Sequence, residues 1–156
     1  MNKITRKAVA FLMLSFPFSS WAESEIEAWY TSKGNEYLVR DSVHGNLHAL
    51  LSISKGGEPF VYIIMFDKDC KESSGNIFSH NPLYINGTLT QYQQYCDGER
   101  RYFMPATEAG RAHLIQEFKI KNFVEIETHD KSFKNIYSAK GFTSHLNKLT
   151  LRGKGI

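Results

Sequence analysis

The sequence predicts a mainly β protein with two short helices, built as an antiparallel β-sandwich or a partly open barrel whose core a C-terminal helix closes. Three observations predict it. Apolar residues alternate in short stretches from Glu25 to Cys70, Gly- and Asn-containing turns separate those stretches, and helical periodicity is confined to the C-terminal third.

Lys3, Arg6 and Lys7 precede an apolar run from Ala8 to Phe18, and Ser20 and Ala22 are the small residues that suit signal peptidase. The run is shorter than the roughly 20 apolar residues of a spanning helix, and Pro17 interrupts its end. Residues 1–22 are therefore read as an export signal cleaved after Ala22, and residues 23–156 as a single globular domain. No membrane span is expected once the signal is removed. The formal charge of +3 is wholly accounted for by the three basic residues of that signal. A neutral mature chain lacks the basic footprint of phosphate binding, which argues against nucleic acid.

Along the domain, "EIEAWYTS" alternates Ile26, Ala28 and Tyr30 against charged neighbours and predicts a first strand, ended by "KGN". "EYLVRDSV" places Tyr37, Val39 and Val43 on one side, and "LHALLSIS" does the same for Leu47, Ala49, Leu51 and Ile53. "FVYIIMF", Phe60 to Phe66, is apolar on both faces and reads as a central strand covered on both sides. The polar run from Asp67 to Asn76 leads into a loop pinned by Cys70. Asn86-Gly87, set between "PLYI" and "TLTQYQQYC", is the strongest short-range hairpin signal in the chain. With Thr88 it also spells a glycosylation sequon, relevant only in a eukaryotic secretory pathway, and it is read first as a turn.

Pro105 ends the strand "RYFMPAT", and Thr107 is placed to cap a helix with Leu114, Ile115 and Phe118 on its apolar stripe. Gly110 weakens that helix. "FVEIETH" returns to alternation with Val124 and Ile126 inward. The chain then runs through "SFKNIYSAKGF" into a last helix over about Thr143 to Thr150, with Phe142, Leu146 and Leu149 on one stripe. His145 lies off that stripe and is expected to add little stability.

Cys70 and Cys96 in an exported chain pair most simply as a disulfide, with a reactive thiol as the alternative. His44 and His48 have ligand-like spacing, but Gly45 and Asn46 between them argue for a turn, and no metal is expected. Ser138, Gly141 and His145 come nearest to a nucleophile and base, without the Gly-x-Ser-x-Gly elbow. Glu25 with Glu27, and Glu125 with Glu127, alternate on a solvated strand face. No phosphate loop occurs, and no catalytic residue or cofactor is expected. A recognition surface remains: Tyr92, Tyr95, Arg100 and Arg101, with Tyr84 and Tyr102 nearby, are residue types enriched in interfaces. Ordinary strand packing is the alternative for the tyrosines.

From Cys96 to Leu149 the order of strand, helix, strand and "SAKGFTSHLNKL" resembles the C-terminal part of the invasion-associated locus B family of exported bacterial proteins. Ser138, Lys140, Gly141, Phe142 and Leu149 match its closing motif. The family usually carries a second cysteine close beside the position of Cys96, and none occurs from Glu99 to Tyr102. The resemblance implies a small β-rich, non-enzymatic exported protein with a role in host interaction or virulence, and names no catalytic residue. The expected function is thus an envelope protein, periplasmic or secreted, that acts by binding a protein partner. An inhibitor or immunity protein against a periplasmic toxin or hydrolase is one alternative. Small-ligand binding in a barrel mouth, suggested by the many aromatics and the doubly apolar strand, is another.

Overall fold

The computed structural model describes residues 25–71 and 75–153, so the expected export signal lies outside the described residues. The strands are β1 (Tyr30–Thr31), β2 (Tyr37–Arg40), β3 (His48–Ile53), β4 (Pro59–Phe66), β5 (Ile77–Ile85), β6 (Thr88–Cys96), β7 (Arg100–Pro105), β8 (Phe123–Thr128) and β9 (Lys134–Ser138). Two helices, α1 (Glu108–Ile120) and α2 (Phe142–Gly153), follow β7 and β9. All strands join one antiparallel sheet in the order β1-β2-β3-β4-β7-β6-β5-β8-β9. That sheet curls into a half-barrel, so of the two expected architectures the partly open barrel is the one formed.

The hollow of the half-barrel holds the core. Inward alternation supplies Val39, Leu51, Val61, Ile85, Val124 and Tyr137, and the helices add Leu114, Phe118 and Phe142, all essentially buried. Trp29 packs edge-on against Phe118 at 5.3 Å and Phe142 at 5.1 Å, and the two phenylalanines stack at 5.0 Å. Aromatic pairs in these arrangements add about 0.5–1.5 kcal/mol each beyond their buried area. Three remote parts of the chain are thereby tied together at one end of the hollow.

The start of α1 follows its sequence signature, with Thr107 accepting a hydrogen bond from Gly110 N at 3.1 Å. Gly110 proves to be a close-approach position. A Cβ there would stand 2.8 Å from Thr90 Cγ2 and 3.1 Å from Pro105 Cβ, so the helix can lie against β6 and β7 only without one. The Asn86-Gly87 turn forms as expected, both residues at positive φ. Its Asn86 amide also donates to Glu117 Oε2 at 2.6 Å and accepts from Glu125 N at 2.8 Å, fastening the hairpin to α1 and β8 at once.

Three expectations are corrected. Only Tyr30 and Thr31 of the predicted first strand are extended in the sheet, because Glu25 to Trp29 serve as a lace between β2 and β9. Arg40 N donates to Glu25 O, Trp29 N donates to Lys140 O, and Ser138 Oγ donates to Glu27 O. Val43 does not continue the inward face of β2, being 49% exposed, because the chain turns at Asp41. His145 is buried rather than peripheral: its Nδ1 meets Gly141 O at 2.9 Å and its ring packs edge-on against Tyr37 at 5.0 Å. The closing helix otherwise behaves as a latch. Gly141, at φ +83°, turns β9 into α2 and drops Phe142 into the core.

Asp41 makes the turn after β2. Its buried carboxylate accepts from Val43 N, His44 N and Gly45 N at 3.2, 2.7 and 3.2 Å, and from Ile136 N of β9 at 2.9 Å. Ser42 N adds a bond to Ile136 O at 2.9 Å, so the two sides of the curled sheet meet at this carboxylate. Asp41→Ala is expected to lower the unfolding free energy by about 3 kcal/mol or more, since hydrogen bonds to a charged group contribute about 1.5–3 kcal/mol each. Asp41→Asn, which keeps the shape and one acceptor, is expected to lose less, and urea denaturation checks both. At the latch, Phe142→Ala is expected to cost about 3–5 kcal/mol and His145→Ala about 1–2 kcal/mol. Equal, negligible shifts in melting temperature for the latter pair would contradict the latch.

Candidate functional site

The four residues of the predicted surface do not share one face. Successive strand residues point to opposite sides of a sheet. In the β6–β7 register Tyr95 pairs with Tyr102 and Tyr92 with Pro105, and Tyr92 belongs to the core cluster inside the hollow. Tyr92 is only 2% exposed and is therefore removed from any partner surface. Arg101, two residues on the same face as Phe103, binds Asp67 through Nε at 2.6 Å and Gln94 through Nη1 at 3.2 Å. Arg100 stands on the other face with Tyr102. It pairs with Glu36 at 2.7 Å, and its guanidinium lies over the Phe66 ring at 5.4 Å.

That outer face carries an aromatic patch of its own. Leu38, Leu50, Ile64 and Tyr102 are buried there, with Tyr30, Tyr62 and Tyr95 packed around them. Tyr95 stacks on Tyr102 at 4.5 Å, Tyr62 stands edge-on to Tyr102 at 5.9 Å, and Tyr102 OH donates to Asp97 Oδ2 at 2.7 Å. The sequence expectation that β4 is covered on both faces is met over Phe60–Ile64 but not at Phe66, which is 71% exposed. Cys70 and Cys96 form the expected disulfide, which fastens the short 3-10 turn Lys68–Lys71 to the end of β6 beside this patch.

A feature missed by the sequence reading lies at β5, which begins at Ile77 rather than near Pro82. β6 pairs with it from Ile77 to Ile85, whereas on its other side β8 reaches only Leu83–Ile85. The register slips between His80 and Leu83, where Pro82 has no N–H to donate to a ladder. Ile77 and Phe78 are 61% and 48% exposed on the stretch left unpaired at that edge among the described residues. The same divergence of β5 from β8 opens the mouth of the half-barrel. A cavity of about 220 Å³ sits there, walled by Ile63, Met65, Leu83, Phe103 and Ile126, with His80 and Asn135 among its polar members beside Asn46, Glu127 and Thr128. Asn135 is 5% exposed, and its Oδ1 has no hydrogen-bond partner among the described residues.

The remaining sequence candidates do not converge. Ser138 Oγ is engaged with Glu27 O and accepts from Lys140 N, while His145 is held by Gly141 O. His44 stacks on Phe133 at 4.4 Å, and His48 lies in β3. No group of three or more His, Cys, Asp or Glu side chains among the described residues is placed to hold a metal ion. No helix of the described residues is long and apolar enough to cross a membrane, and the disulfide is compatible with an extracytoplasmic location. No protein-family model, no curated protein and no solved structure matches the chain.

Burial raises the phenols of Tyr62, Tyr95 and Tyr102, and Tyr102, which also donates to Asp97, is pushed up to about 12 from 10.0. A folded-state value above the unfolded one means that the fold holds the neutral phenol. Its contribution is whole below pH 10 and is lost as pH rises towards 12. Denaturation midpoints measured from pH 9 to 12 are expected to fall across that window. Tyr102→Phe is expected to flatten the fall, and an unchanged slope would show that the patch does not govern it.

Proposed function

We propose that the protein is an exported, non-enzymatic binding protein of the envelope, periplasmic or secreted, that engages a protein partner by strand addition at the open edge of β5. The observation that carries this reading is the stretch from Ile77 to Asn81, whose backbone has no ladder on one side among the described residues and which begins with two large exposed apolar side chains. Edges of this kind are ordinarily blunted by lysine, proline or a bulge. Here the bulge and Pro82 stand only at its far end, and the leading residues carry no charge. Strand addition supplies affinity through main-chain hydrogen bonds and specificity through alternate side chains. Ile77 lies in register with Tyr95, so its side chain continues the outer aromatic face from β6 to the β5 edge at which a strand would add.

The export signature and the resemblance of the closing segment to invasion-associated locus B proteins support placement in the envelope and a host-interaction role. An inhibitor or immunity protein would use the same edge on a toxin or hydrolase, and a stoichiometric enzyme target would distinguish it. The test compares the wild-type protein with the Ile77→Lys/Phe78→Lys variant in affinity capture from envelope and host-cell extracts. Both positions are exposed, so the melting temperature is expected to hold within the range of surface substitutions, about 0.5 kcal/mol. A partner retained by wild type and lost by the variant supports edge recognition, and identical capture by both overturns it.

A further inference from the structure

We infer that the mouth of the half-barrel is a binding site for a small, uncharged, single-ring molecule bearing a hydroxyl group. The inference is independent of the proposed role of the β5 edge. Size comes first. About 220 Å³ is below the usual range for drug-sized ligands, roughly 300–1,000 Å³, whereas an apolar cavity of about 150 Å³ suffices for benzene. One ring with a short substituent fills the space.

Asn46, Thr128 and Glu127 add polar groups to a largely apolar wall, and His80 and Asn135 are the two that offer a defined acceptor. His80 Nδ1 lies 2.7 Å from Asn81 O; a carbonyl can only accept, so this nitrogen carries the proton and Nε2 is the acceptor the neutral ring offers. The ring stands edge-on to Phe103 at 5.1 Å, which holds it against the cavity wall. Asn135 brings the second polar group, a buried amide whose Oδ1 is unpartnered among the described residues. A buried acceptor left unmatched is costly, and a ligand that donates to it recovers that cost. A hydroxyl meets both requirements, because it donates to His80 Nε2 or Asn135 Oδ1 and can also accept from the amide.

Charge sets the remaining limit. The cavity has no lysine or arginine in its lining and includes Glu127, so a carboxylate would meet a like charge and no fixed counter-ion there. The site therefore favours a phenol or a cyclic alcohol over the corresponding acid or hydrocarbon. Its position follows from the slip between His80 and Leu83: Leu83 and Ile126 belong to the last paired stretch of β5 and β8, and the cavity lies where the two strands part beyond it.

The test titrates the oxidised protein separately with phenol, benzene and benzoate, read by amide chemical shifts. Saturable shifts centred on His80, Leu83, Ile126 and Asn135 are expected for phenol. Phenol should bind about fivefold more tightly than benzene, the ratio that one ordinary hydrogen bond supplies, and benzoate should not saturate. Asn135→Leu, close in volume, is expected to erase or invert the preference for phenol. His80→Phe, at the partly exposed wall, is a second variant expected to weaken phenol alone, should the first fail to fold. Ile77→Lys/Phe78→Lys is expected to leave phenol binding unchanged, which separates this site from the edge. Absent saturation, equal phenol and benzene affinities, tighter benzoate binding, shifts centred elsewhere, or a preference unchanged by the variants would each overturn the inference.

Discussion

The half-barrel depends on one buried carboxylate. A curled antiparallel sheet must either close upon itself or leave two edges in water, and here Asp41 brings those edges together by accepting three N–H groups from its own turn and one from β9. An anion removed from solvent needs such donors, since burial without them costs several kcal/mol. The geometry therefore works in both directions: the turn satisfies the charge, and the charge prevents the turn from drifting away from Ile136. The lace from Glu25 to Trp29 extends the same junction, with Ser138 and Lys140 as its anchors on the far side.

With the edges joined, the hollow becomes a place where helices can be stored. α1 crosses from β7 to β8 inside the curl, and α2 lies against β3 and β4, so the aromatic knot of Trp29, Phe118 and Phe142 forms where lace, first helix and latch meet. No described residue of either helix lines the cavity between β5 and β8. There the sheet is allowed to part between β5 and β8, and a single divergence produces both an unpaired strand edge and a cavity. Plugged and open ends are thus consequences of where the two helices were spent.

Much of this was legible in the residue pattern, for physical reasons. Period-two alternation marked β3, an apolar run on both faces marked β4, Asn86-Gly87 marked its hairpin, and Thr107, Gly141 and Phe142 marked the two helix starts, because each follows from a local rule. Failures came where a local rule had two solutions. Ile26, Ala28 and Tyr30 alternate like a strand, yet the segment satisfies its backbone across two different strands. Asp41 drew no reading from the sequence, since its fourth donor comes from a residue ninety-five positions away. The recognition cluster was drawn from neighbours in sequence, although Arg100 and Arg101 could not share a face of any strand. The aromatics and the doubly apolar strand suggested a ligand in a barrel mouth but could not locate the cavity, because it arises from the parting of two strands and not from a motif.

The lace also dictates when the protein can finish folding. Its hydrogen bonds join Glu27 to Ser138 across 111 positions, and Asp41 to Ile136 across 95. During synthesis β1 to β4 can assemble early, but β4 must wait for β7, and β2 must wait for β9. Chains rich in such distant pairings fold slowly. A domain whose last structural act is to join segments more than ninety positions apart stays unfinished until nearly all of them are available, so its fold is completed late and all at once.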